Sequence, residues 1–146
     1  MSGQAAAAAD NGLPADRAKP ARVLLVDDDA SIRRLCSLSL RSVGIEVLEV
    51  EDGQRGLEQA RRERPDLVLM DVMMPGLDGF ELARALRGHE STRAIPFMFL
   101  SGEPAKENRG RARGLGALAY LTKPFSPTEL AERVTRVPAS SIEPER

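Results

Sequence analysis

Five side chains in this sequence are of types that together could handle a phosphoryl group: Asp27, Asp28, Asp71, Ser101 and Lys123. Three carboxylates brought together repel one another unless a proton or a cation compensates. An all-oxygen cluster suits a hard ion such as Mg²⁺ (or Mn²⁺), which keeps several waters and takes phosphate oxygens to complete its octahedron. A lysine supplies a point charge and a serine a neutral donor, the two contacts a phosphoryl group needs. Gathered in one place, the set reads as phosphoryl transfer to a carboxylate.

Each of the five stands where an apolar run ends. Arg22 to Val26 precedes Asp27 and is continuously apolar after its first residue, as expected of a strand covered on both faces. Leu67 to Met70 leads to Asp71, Ile95 to Leu100 leads to Ser101, and Ala117 to Thr122 leads to Lys123. Ile45 to Val50 alternates in part and reads as a strand nearer an edge. Helical spacing lies between these runs. Ala30 to Val43 carries Ile32, Leu35, Cys36, Leu40 and Val43 on one period, and Gly44 ends it. Asp52-Gly53 opens a second helix through Arg62, and a third holds Phe80, Leu82, Ala83 and Leu86. The fourth, from about Pro104 to Leu115, is weakened by Gly110 and Gly114. Ser126-Pro127, with Glu129 three after the cap, opens the last. Five strands each followed by a helix predict an α/β fold, a doubly wound five-stranded parallel sheet with helices on both faces. In such sheets sites form outside the carboxyl ends of the strands, where the five residues would meet.

The 146 residues give room for one domain, expected over 21–137. The flanking 1–20 and 138–146, rich in Ala, Pro and polar residues, predict disordered tails. With 21 Lys plus Arg against 22 Asp plus Glu and aromatics at 3%, neither a basic excess nor a stacking surface points to direct nucleic-acid binding. No apolar run reaches the roughly 18–20 residues of a membrane span. The single cysteine, Cys36, cannot pair internally and suits a reducing, cytoplasmic setting.

The stretches Val26-Asp27-Asp28-Asp29, Leu69-Met70-Asp71 through Met74-Pro75-Gly76-Leu77-Asp78-Gly79, Leu100-Ser101-Gly102-Glu103 and Lys123-Pro124-Phe125 resemble the receiver family of two-component response regulators, as in single-domain chemotaxis-type receivers. One such motif is weak; four in order, each at a predicted strand end, are specific. The resemblance implies a flavodoxin-like strand order of 2-1-3-4-5 and a cis Lys123-Pro124 bond. It implies that Asp71 is the phosphoacceptor, attacking a phosphohistidine on a histidine kinase or a histidine phosphotransfer protein to give an acyl phosphate. Asp28 and Asp71 would bind the metal directly, Asp27 through water, and Met73 through its backbone carbonyl. Lys123 would contact the phosphoryl group. Ser101 and Tyr120 would form the switch: Ser101 shifts toward the phosphoryl group and Tyr120 turns inward. That would remodel the face of the fourth helix, fifth strand and fifth helix for a downstream protein partner. A phosphorylation-dependent dimer is compatible with this picture, and a conventional enzyme is not expected.

Plainer readings stand beside each role. Asp27, Asp28 and Asp71 could cap turns, with Asp29 the cap of the first helix; Ser101 could shape a turn, Lys123 could be solvated, and Tyr120 could be core. Gly102 is expected to keep the approach to Asp71 open. His89 reads as solvated, Cys36 as core, and Lys106, Arg109, Arg111 and Arg113 as a solvated helix face rather than a docking surface for an acidic partner. Met73 and Glu103 occupy positions that tune phosphoryl loss in similar proteins. An apolar Met73 cannot orient an attacking water, so slow self-dephosphorylation is predicted, and a phosphoryl lifetime of seconds would contradict it. A haloacid-dehalogenase-type phosphatase would need a second acid where Met73 stands. A receiver-like module that is never phosphorylated would normally lose one of the acids or Lys123. A stand-alone receiver is the expectation, and a receiver cut from a longer regulator the alternative.

Overall fold

The apolar runs form strands β1 Arg22–Val26, β2 Glu46–Val50, β3 Leu67–Asp71, β4 Phe97–Ser101 and β5 Ala119–Thr122 in a computed structural model that describes residues 20–102 and 106–137. Between and after them lie α1 Ala30–Arg41, α2 Gly53–Glu63, α3 Gly79–Gly88, α4 Lys106–Gly114 and α5 Pro127–Thr135. All strands pair in parallel, in the order β2-β1-β3-β4-β5, as expected. The central β3 and β4 are buried at every residue, while the edge strand β2 keeps exposed Glu46 and Glu49. Apart from Pro20, the expected tails lie outside the described residues, as does Glu103.

Alternation along the strands sends side chains into two apolar layers. Leu24, Val26, Val68, Met70, Phe97 and Phe99 pack with Phe80, Leu82 and Leu86 of α3 and with Ala112 of α4. Val23, Leu25, Leu67, Leu69, Met98 and Leu100 pack with Cys36 and Leu40 of α1 and with Leu130 and Val134 of α5. Phe99 meets Phe80 and Phe97 edge to face, at centroid distances of 5.0 and 5.5 Å. Cys36 is fully buried, and burial, with the charge of Asp27, pushes its thiol up to about 12, so it is a packing group and not a nucleophile.

Several boundaries differ from the sequence expectation, each for a local reason. α1 ends at Arg41 because the Val43 and Gly44 amides turn back onto the Leu40 and Arg41 carbonyls, with Gly44 at φ 86°. β4 begins at Phe97, since Ile95 donates to Thr92 in a turn and Pro96 has no N–H for the ladder. β5 begins at Ala119 because Ala117 donates to Ala112 and closes α4. On α1, Leu35 is 37% exposed and not core; Ser37 and Ser39 take inner positions by donating to the Glu49 carboxylate and the Pro127 carbonyl.

Candidate functional site

Register brings the strand ends together. Val26 lies beside Met70, so the next residues, Asp27 just past β1 and Asp71 at the end of β3, stand side by side. Asp71 lies beside Leu100, and Ser101 beside Thr122, which places Lys123 one step beyond. Carboxylate oxygens of Asp27, Asp28 and Asp71 all fall within 4.8 Å of one another. Asp27 and Ser101 are fully buried, Asp71 nearly so, and Asp28 is exposed. Lys123 reaches back across β4: its Nζ is 3.1 Å from Asp27 Oδ2 and 3.3 Å from Asp71 Oδ1. The Asp29 amide donates to Asp27 Oδ1 at 2.9 Å, and the Met73 amide to Asp71 Oδ1 at 3.4 Å. The Lys123-Pro124 bond is cis.

The charges do not balance. Burial, reinforced by Asp27, raises the Asp71 carboxyl from 3.8 to about 6, although Lys123 pulls the other way. For Lys123, burial works against the charge but the two carboxylates outweigh it, so its ammonium is held above the ordinary value. One ammonium thus faces three clustered carboxyl groups, two of them buried. An all-oxygen set with this deficit of positive charge fits a hard divalent cation, so the residues present suit Mg²⁺.

The loop behind Asp71 is held from below. Gly79 donates to the Val72 carbonyl at 3.0 Å. A Cβ on Gly79 would stand 2.9 Å from the Val72 Cα and closer still to the Asp71 carbonyl oxygen. Backbone cannot yield as a flexible side chain can. Gly79→Ala is therefore expected to cost about 2 kcal/mol and to displace the end of β3, read as a lower urea midpoint together with weaker Mg²⁺ binding. Asp78 caps α3 by accepting from the Glu81 amide while the Glu81 carboxylate accepts from the Asp78 amide, both at 2.8 Å. The sequence reading passed over this reciprocal cap, although an Asp with a Glu three residues later signals it. It also passed over Arg33, whose guanidinium donates to the Asp27 carbonyl at 2.7 Å; only the fold brings these together.

Tyr120 lies inward, 9% exposed, with its ring 6.5 Å from that of Phe99. Arg109 covers it: the guanidinium stands 5.0 Å from the ring centroid and donates to Thr122 Oγ1 at 2.7 Å. Arg111 stands 4.2 Å over Phe80. Two of the four basic residues of α4 therefore hold the helix in place, Arg109 against β5 and Arg111 against α3, and are more than a solvated face. Met73 is 61% exposed at the rim. A Cβ at Gly102 would meet open space, and His89, half-buried, is the residue that ends α3. Asp29 caps α1, accepting from the Ser31 and Ile32 amides.

The family model of the response regulator receiver domain matches residues 23–135. The chain belongs to that family. Receivers with known structures align over most of it. It is similar to the chemotaxis protein CheY4 of Vibrio cholerae, 37% identical, with a TM-score of 0.76 over 80% of this chain and 98% of that one. The receiver domain of the sensor histidine kinase PA1611 of Pseudomonas aeruginosa, whose structure has a magnesium ion coordinated in the active-site cleft, is 34% identical with a TM-score of 0.72, over 79% and 94%. Among curated proteins, the phosphate regulon transcriptional regulatory protein PhoB of Pseudomonas aeruginosa is 41% identical over 115 residues, covering 79% of this chain and 50% of PhoB. The transcriptional regulatory protein PdtaR of Mycobacterium tuberculosis is 43% identical over 117 residues, covering 80% and 56%. The chain spans about half the length of the curated relatives it matches. This receiver is a signalling domain of the two-component type, and among the described residues no helix is long and apolar enough to cross a membrane.

Proposed function

We propose that Asp71 accepts a phosphoryl group from a phosphohistidine of a sensor kinase or phosphotransfer protein. The observation that carries this reading is the buried Asp71 carboxylate beside Asp27 and Asp28, with Lys123 bridging two of the three. An Asp71 oxygen attacks phosphorus, the P–N bond breaks, and the released imidazole takes a proton. Asp28, Asp71 and the Met73 carbonyl would hold Mg²⁺ directly, and Asp27 would hold it through water. The ion, when bound, offsets the charge of the phosphoryl oxygens. Lys123 then exchanges its pairing with Asp71 for a phosphoryl oxygen, and the Ser101 hydroxyl donates to another. Met73, 61% exposed at the rim, offers only a weakly accepting thioether with which to orient an attacking water, so self-dephosphorylation is expected to be slow.

The face of α4, β5 and α5 carries the signal to a protein partner through the positions of Ser101 and Tyr120. The test is intact mass after incubation with acetyl phosphate and Mg²⁺. A metal-dependent gain of one phosphoryl group in the wild type and none in Asp71→Asn is expected. A gain retained by Asp71→Asn would move the acceptor elsewhere. A second reading, a receiver joined to an output domain, is favoured by the length of PhoB and PdtaR, of which this chain matches about half; the natural open reading frame decides between them.

A further inference from the structure

Asp27 is fastened at every polar group it carries. Its amide donates to the Val50 carbonyl at 3.2 Å, Oδ1 accepts from the Asp29 amide at 2.9 Å, and Oδ2 accepts from Lys123 at 3.1 Å. The remaining acceptor, its backbone carbonyl, takes the Arg33 guanidinium at 2.7 Å. That carbonyl shares a planar peptide unit with the Asp28 amide, so holding it fixes the plane from which Asp28 departs. Asp28 depends on such a hold. It is exposed and enters no ion pair among the described residues, whereas Asp27 and Asp71 are buried and bridged by Lys123. Arg33 is itself aimed. Its amide donates to the Asp29 carbonyl at 3.0 Å in the first turn of α1, and its Nε lies 3.7 Å from Glu49 Oε1 on the edge strand β2. The other Glu49 oxygen accepts from Ser37 Oγ at 2.6 Å and faces Arg41 at 3.8 Å. A partly exposed ion pair of this length contributes little to stability. The charge-assisted bond to the Asp27 carbonyl is the stronger contact, and it points to the acidic site.

We infer that Arg33 is a positioning residue: by holding the Asp27 carbonyl it directs the Asp28 carboxylate toward those of Asp27 and Asp71, in the arrangement that takes a divalent cation. The inference rests on the reading of Asp28 as a direct ligand for Mg²⁺. Groups that orient a ligand without touching the metal commonly change its affinity by roughly ten- to a hundredfold. Acting through charge alone, Arg33 would do the opposite. A guanidinium beside the acidic cluster repels a cation, so its loss would tighten Mg²⁺ binding. The sign of the effect therefore separates positioning from charge.

The test is titration of the full chain with Mg²⁺ alone, without a phosphoryl donor, followed by amide chemical shifts in nuclear magnetic resonance. Wild type is compared with Arg33→Ala, Asp28→Asn and the double variant. Arg33→Ala should weaken Mg²⁺ binding about tenfold. Added to Asp28→Asn it should cost almost nothing more, because the two changes act on one ligand. Phosphoryl uptake by Arg33→Ala should need correspondingly more Mg²⁺ to reach half its maximum and should regain most of the wild-type rate at saturation. Equal or tighter Mg²⁺ binding by Arg33→Ala overturns the inference. So does a loss of the same size in both backgrounds, or a loss of uptake that saturating Mg²⁺ does not repair. If circular dichroism shows Arg33→Ala unfolded, Arg33→Gln takes its place: its shorter, uncharged arm gives up the bond, and unchanged or tighter binding overturns the inference there too. Mg²⁺ binding by Asp28→Asn equal to that of the wild type sinks the reading of Asp28 as a ligand, and this inference with it. A loss in Asp28→Asn but not in Arg33→Ala sinks the positioning role alone.

Discussion

Asp71→Asn is expected to stabilise the metal-free protein by about 3 kcal/mol at neutral pH and by almost nothing near pH 4. Folding moves the Asp71 carboxyl from 3.8 to about 6, chiefly by burial and then by the charge of Asp27. The native state therefore keeps a proton that the unfolded chain has already lost. Stability linked to this group is greatest at low pH and falls as pH rises from 3.8 through about 6. Asparagine keeps the shape and the acceptor for the Met73 amide while removing the charge that the site resists. Urea unfolding of both proteins in chelator, on either side of this window, reads the effect. A difference that is the same at both pH values would show that Asp71 is not the titrating group. Added Mg²⁺ should raise the wild type and narrow the gap, because it binds the native carboxylates and not the unfolded chain.

Lys123→Met should cost about 3 kcal/mol, although methionine preserves the length and most of the packing of the side chain. The ammonium bridges Asp27 and Asp71 at 3.1 and 3.3 Å, and Asp27 is fully buried. Its removal leaves two neighbouring carboxylates with no cation between them. Millimolar Mg²⁺ should restore part of the loss in stability but not phosphoryl uptake, since the metal compensates the acids without replacing the contact to the transferred group. An unfolding midpoint equal to that of the wild type would mean that Lys123 lies in solvent and the bridge does not form.

Strand ends were the most legible feature of the sequence because a two-sided sheet demands uninterrupted apolar runs, and a charged residue is where such a run must stop. That argument located Asp27, Asp71, Ser101 and Lys123 at one edge before any pairing was known. What it could not supply was register. Whether Asp27 stands beside Asp71 depends on Val26 pairing with Met70, a non-local contact that no local pattern encodes. The same holds for Lys123, whose bond to Asp27 links residues 96 apart and was not foreseen alongside its approach to Asp71. Helical period misassigned Leu35, because serines with carboxylate and carbonyl partners displaced it from the inner stripe of α1. The arginines of α4 read as solvent-facing because composition cannot show that Phe80 and Tyr120 would lie beneath two of them.

α4 buries a single residue, Ala112, whereas the other helices bury from two to five. Two guanidinium groups help to hold it, Arg109 over Tyr120 of β5 and Arg111 over Phe80 of α3, contacts that water competes for. Undocking α4 should thus be the cheapest opening in the domain, and its amide hydrogens should exchange with deuterium before those of α1 or α3. A message passed to this helix can then be written as the fraction of time it spends docked, a change in occupancy that leaves the sheet beneath it where it was.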